Sequence, residues 1–253
     1  YGKQALFCRI EQGGLARDAL DLTPEQARVL MLTHRGFVRA GAALMGGDAA
    51  RMKEIKGRLA TLGTQFGQNL LADERDWQRA LSEDELEGLP GFVINAVRAA
   101  GKERGAGGPV LTLSRSVIVP FLQFCPNRAL REEAWRAWVA RGENGGKTDN
   151  RDVAAEILGL RHERAQLLGY DDFASYKLET EMAKTPDAVR GLLMEVWEPA
   201  KARALEDAAL LEERMRAEGV NGPVQAWDWR YYSEARRREE FALNEAELKP
   251  YLQ

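Results

Sequence analysis

Imidazole is scarce in this chain: His34 and His162 are the only histidines in 253 residues. The second opens the run His162-Glu163-Arg164-Ala165-Gln166. Two histidines one helical turn apart can hold zinc, with a glutamate between them to activate water. The run begins as that H-E-x-x-H pattern does, but Gln166 stands where the second imidazole belongs. An amide oxygen is a poor zinc ligand beside imidazole. His162 therefore reads as a partly solvated helix residue; a ligand role would need three carboxylates brought from elsewhere. No catalytic residue and no metal ligand is assigned in the chain. Neither Cys8 nor Cys125 lies in a recognisable nucleophile setting, and there is no G-x-S-x-G elbow. The glycine-rich runs at 105–108 and 142–146 lack the G-x-x-x-x-G-K-[ST] pattern of a phosphate-binding loop. Arg236-Arg237-Arg238 is followed by Glu239-Glu240, which reads as a solvated helix end with internal ion pairs, not a nucleic-acid surface.

One cluster keeps a functional reading. Trp227, Trp229, Tyr231 and Tyr232 crowd into six positions around Arg230. Spacing i, i+4 puts Trp227 and Tyr231 on one helix face, so core packing is the plain reading. The functional reading is that Arg230, Tyr231 and Tyr232 line a substrate channel.

The elements that must position these groups are helical. Hydrophobic content of 45% with 30% charged suits a helical globular chain, large enough for one large domain or two small ones. A net charge of −3 gives no pull toward nucleic acid or an anionic membrane. No apolar run reaches the length of a membrane span, and no signal peptide is visible. Two cysteines make no disulfide framework, so free, largely buried thiols in a reducing cytoplasm are expected.

The pattern predicts a first helix over 2–12, broken at Gly13-Gly14. Thr23-Pro24 starts a second by the cap-plus-proline rule, running toward Gly46-Gly47. Asp48 caps a long third helix with the stripe Met52, Ile55, Leu59, Leu62, Phe66 and Leu70, in which Gly63 and Gly67 imply close approach by another backbone. Ser82 to Glu85 fits a capping box, and Pro90 opens a helix with Phe92, Val93, Ala96 and Val97 inward. Val110 to Leu113 is the one strand candidate, with no evident partner in the chain. A short helix over 117–124 follows, then one capped by Asn127 and carrying Trp135 and Trp138; 141–149 is a loop. Asp149 or Asn150 caps a helix with Val153, Ile157, Leu160, Leu167 and Leu168 inward, closed by Gly169. Asp171 or Asp172 caps a short helix. Thr185-Pro186 opens a long one with Val189, Leu193, Val196, Ala200 and Leu211 inward, broken or bent at Pro199. A last helix starts near Asp228, and Asn244 with Glu247 resembles a final capping box. The fold class is all-α, a multi-helix lobe with at most one short strand or hairpin.

Five stretches also carry a resemblance. LLGYDDFASYKLETEMAKTP (167–186), AWDWRYY (226–232) and ELKPYLQ (247–253) are similar in order to the thimet oligopeptidase, oligopeptidase A and peptidyl-dipeptidase family of zinc metallopeptidases. So are RLATLGTQFGQNLLAD (58–73) and WRAWVARGENGG (135–146). The match runs from about Leu59 onward and more loosely before. The resemblance implies a deep channel between two helical lobes that admits short peptides, bordered by Arg230, Tyr231, Tyr232 and the 141–146 loop. In that family the zinc motif lies downstream of the LKPY segment. The chain is thus expected to be the helical, non-catalytic part of a zinc oligopeptidase, 1–253, truncated at both ends. Zinc would be the parent's cofactor and none would be bound here. Its partners would be short peptides and the missing catalytic lobe, with no nucleic acid and no membrane, in the cytoplasm. The alternative is a non-catalytic helical peptide-binding or scaffold protein.

Overall fold

A computed structural model describes residues 4–16 and 19–241. It is all-α among those residues: ten α-helices and one two-stranded antiparallel ribbon. The helices are α1 (Gln4–Leu15), α2 (Pro24–Arg39), α3 (Gly46–Asp76), α4 (Gly91–Glu103) and α5 (Arg115–Phe124). They continue as α6 (Arg128–Val139), α7 (Arg151–Leu167), α8 (Phe173–Leu178), α9 (Pro186–Ala217) and α10 (Ala226–Phe241). The strands are β1 (Gln78–Ala80) and β2 (Val110–Thr112). The ELKPYLQ stretch and the Asn244/Glu247 box lie outside the described residues.

The chain divides into two compact units, one of 1–65 with 152–191, the other of 66–151 with 192–253. The first unit buries Phe7, Met52, Ile55, Leu62, Val153, Ala165 and Tyr176. Thr23 and Gln26 form a reciprocal capping box at the start of α2, which ends at Arg39, earlier than the glycine pair suggests. Helix α1 runs through Gly13-Gly14, and α3 already begins at Gly46, leaving Asp48 in its first turn. The charged faces of α3 and α7 are paired: Arg51 donates to Glu163 from Nε at 2.6 Å, and Arg58 to Glu156 from Nη2 at 2.6 Å. Gly169 takes φ +82° after α7, and Asp172 caps α8 by accepting from the Ser175 N–H at 2.7 Å.

The core of the second unit joins α4, α5, α6 and the ribbon around Val93, Val97, Leu111, Ile118 and Phe121. Strand β2 does have a partner in the chain, with Gln78 opposite Thr112, Arg79 opposite Leu111 and Ala80 opposite Val110. β1 is three residues of mostly exposed polar sequence, so period-2 patterning had nothing to register. The Ser82/Glu85 box forms, but it opens a single 3-10 turn over Asp84–Leu86. Phe92 is exposed on α4, its ring edge-to-face with Phe124, instead of facing inward. Asn127 caps α6 by accepting from the Leu130 N–H.

Two expectations about helix packing are corrected. Helix α9 runs on through Pro199 without a break. Proline leaves the Glu195 carbonyl without its helical donor, and 191–200 are all exposed, so water can supply the missing bond. For the same reason Leu193, Val196 and Ala200 are not an inner face; only Leu211 and Met215 of this helix are buried. Gly63 and Gly67 meet nothing: a Cβ at either would have no atom within 4 Å among the described residues. The close approach is at Gly101 of α4, where a Cβ would collide with the Gly108 carbonyl oxygen.

These two environments predict opposite signs for one substitution. Gly63→Ala should stabilise the protein by about 0.5–1 kcal/mol, the helix-propensity difference alone. Gly101→Ala should destabilise it by roughly 1–3 kcal/mol, because the obstacle is backbone. Urea midpoints of the two variants check the pair. Gly101→Ala matching Gly63→Ala would contradict the packing of α4 on the 108–109 turn.

Candidate substrate-facing site

The aromatic helix α10 is fixed by a carboxylate that sequence patterning placed only as a helix start. Arg128 and Arg131 stand one turn apart on α6 and so share a face. Asp228, in the first turn of α10, receives both. Arg128 donates from Nε at 2.9 Å and from Nη2 at 2.7 Å, and Arg131 from Nη2 at 3.0 Å. The Gln225 N–H also donates to Asp228, at 3.2 Å. Asp228 is 0% exposed and Arg131 1%, whereas the Arg128 side chain keeps 38%. The remaining donors of Arg131 go to the carbonyls of Trp227, Cys125 and Pro126. Burial alone would raise the Asp228 pKa. The two guanidinium hydrogen bonds and the Gln225 N–H outweigh it and hold the carboxyl below its ordinary value.

The three channel candidates fare differently. Tyr232 is 2% exposed and packs on Leu211 and Met215. Burial, with the Glu218 charge beside it, pushes its hydroxyl up to about 12, so it stays neutral. Tyr231 is half-buried, edge-to-face with Tyr232, and its ring covers the Arg131 guanidinium at 4.2 Å. Arg230 is exposed. The structure thus brings Tyr231 and Tyr232 together on Arg131, while Arg230 stands apart in solvent. Trp227 is buried, with Arg136 stacked on it at 4.9 Å, so core packing accounts for most of the cluster.

The far end of α10 is also internally neutralised. Glu234, nearly buried, accepts from Gln123 at 2.9 Å and Arg237 at 2.8 Å and pairs with Arg238; Arg236 pairs with Glu240. The glycine-rich 141–149 loop is pinned, not loose. Asp73 accepts from the Gly142 N–H at 2.7 Å, from Asn144 at 2.9 Å and from the Thr148 hydroxyl. Sequence reasoning missed Asp228. Its trace was a lone carboxylate inside a tryptophan pair, with two arginines three positions apart upstream.

The residues present do not fit a zinc ion. His34 stacks on Phe7, and His162 is exposed on α7 with Glu163 committed to Arg51. No group of three histidine, cysteine, aspartate or glutamate side chains among the described residues is placed to hold a metal. Both cysteines are free; Cys125 is buried as expected, but Cys8 is exposed. No helix among the described residues is long and apolar enough to cross a membrane.

Fold and site together define an all-α, multi-helix protein whose buried charges serve packing. The family model for peptidase family M3 matches residues 121–253, just over half of the chain. The chain belongs to that family. It is 34% identical over 253 residues to the dipeptidyl carboxypeptidase of Salmonella typhimurium, covering 99% of this chain and 37% of that protein. It is 35% identical over 222 residues to the oligopeptidase A of Escherichia coli, covering 86% of this chain and 33% of that protein. A probable cytosolic oligopeptidase A of Arabidopsis thaliana is 30% identical over 241 residues, 91% of this chain and 34% of that protein. The chain therefore spans about a third of the length of the curated relatives it matches.

Proposed function

We propose that residues 1–253 are the helical substrate-channel portion of a zinc-dependent oligopeptidase that hydrolyses short peptides. In this reading the catalytic zinc site lies downstream, and the partner of this portion is the catalytic lobe of the same protein. Arg230 and Tyr231 face the peptide channel, and buried Tyr232 sets the position of Tyr231. Membership of peptidase family M3 and relatives named oligopeptidase A and dipeptidyl carboxypeptidase support the reading. A cytoplasmic setting suits the two free thiols.

The observation that carries it is the bare face of α9. Leu192 and Val196 form one i, i+4 row and Leu193 and Trp197 the next, all exposed, with Trp197 at 55%. Apolar rows of this kind on a monomer mark an interaction surface. The proposal expects the isolated chain to enhance a hydrophobic dye such as ANS and to self-associate at micromolar concentration. Leu193→Lys with Trp197→Lys should remove most of both effects. A monomer that leaves the dye dark would count against a covering lobe and for a stand-alone scaffold.

A further inference from the structure

We infer that the first turns of α9, residues 191–200, are gripped in a socket with apolar walls on two opposite sides and a basic wall between them. The inference rests on the oligopeptidase reading above, and the occupant it commits to is the remainder of the same protein. At 3.6 residues per turn, with Leu192 set at zero, Val196 lies at about 40°, Leu193 at about 100°, Trp197 at about 140° and Met194 at about 200°. All five side chains are half or more exposed, and every other residue of 191–206 is exposed as well. The apolar arc therefore spans about 200°, whereas a helix lying on one surface needs a stripe of roughly half that width. One flat surface can cover Leu193 with Trp197. It cannot reach both Leu192 and Met194, which stand almost opposite each other.

The rest of the circumference carries one sign of charge. Glu195 and Glu198 fall at about 300° and 240°. Neither has an ion pair or hydrogen bond among the described residues, and Lys201 one turn on bonds neither of them. Further along the same helix the charges are paired, Arg203 with Asp207 at 2.9 Å and Arg214 with Glu239. Pro199 adds a further acceptor, because it leaves the Glu195 carbonyl without its helical donor. Acceptors without donors beside an apolar arc suit a partner that brings arginine or lysine to that sector. A two-fold contact of α9 with its own copy would cover one side of the helix and leave Leu192 or Met194 bare. The curated relatives are about three times the length of the span they share with this chain, so a protein of that length holds ample chain to build the socket.

Hydroxyl-radical footprinting of unsubstituted protein tests this. Residues 1–253 and a chain that includes the proposed downstream lobe are oxidised side by side, and Leu192, Met194 and Trp197 are read by mass spectrometry. All three should react in residues 1–253. In the longer chain all three should fall at least about fivefold, the drop from half-exposed to buried. Protection of Leu192 without Met194, or of Met194 without Leu192, would overturn the socket and leave the oligopeptidase reading standing. No protection at any of the three would overturn both. Protection in residues 1–253 that grows with concentration would make a second copy the occupant and overturn the socket. In the longer chain, Glu195→Lys with Glu198→Lys should restore most of the Met194 oxidation while Met215, which is 0% exposed, stays protected. Unchanged Met194 protection would overturn the basic wall. If Met215 also reacts, Glu195→Gln with Glu198→Gln decides instead, with a smaller rise expected at Met194 and none overturning the wall.

Discussion

Asp228→Asn should cost about 3–5 kcal/mol of stability, the largest loss expected from any single polar substitution here. Asparagine keeps the shape and can still accept from Gln225, but it removes the charge that two guanidinium groups share. Arg128 can turn to water. Arg131 cannot, because it is 1% exposed and its other donors are fixed on three carbonyls. The variant therefore holds a buried, uncompensated cation. Arg131→Met should cost a similar amount for another reason: those carbonyls lose their donor and Asp228 its buried partner. The double variant should lose less than the sum, since both changes break the same contact. Against a typical total of about 5–15 kcal/mol, either change threatens the docking of α10 on α6. Urea denaturation followed by tryptophan fluorescence reads it; a loss under 1 kcal/mol for Asp228→Asn would show that the cluster does not hold the helix.

The same cluster sets an acid limit. A carboxyl held below its ordinary value contributes stability above that ordinary value, about 3.9 for aspartate, and loses it as pH falls through the folded one. Glu234, which burial would raise but Arg237 and Gln123 bring down, acts in the same direction. Stability of the second unit should fall steeply below about pH 4. In Asp228→Asn that slope should be shallower, because the Asp228 carboxyl no longer titrates.

Much of the fold was legible because caps and periodicity are local signals. Thr23-Pro24, Asn127, Asp172, Gly169 and Thr185-Pro186 each end or begin a helix where their chemistry requires. What depended on distant partners was not. β1 carries no hydrophobic alternation and exists only because β2 lies beside it. The stripe on α9 read as a core face, yet Leu193 and Val196 are bare, since periodicity reports that a face is apolar and not what covers it. Gly101 differs from Gly63 only through a turn several residues further on. In the candidate site the aromatic run was visible, but its anchor was not: a buried aspartate is legible only once the arginines of another helix are placed around it.

The second large effect is on catalysis. A zinc hydrolase site needs three protein ligands and an open position for water. Here the only two histidines sit on α2 and α7, Glu163 is tied to Arg51, and Gln166 replaces the second imidazole of the motif. Among the described residues no such ligand set is placed to lower the pKa of a bound water toward about 7. On the proposed reading, residues 1–253 should retain far less than one zinc per chain and show no cleavage of short peptides, whereas a chain that includes the proposed downstream zinc site should show both. The direct measurement is hydrolysis of a quenched fluorescent short peptide by the purified chain, with added zinc and with a chelator, beside metal analysis of the same sample. The predicted result is background fluorescence in every arm and substoichiometric metal. Chelator-sensitive turnover by this chain alone would contradict the placement of the active site outside it, and would make His162 and Glu163 the first residues to replace.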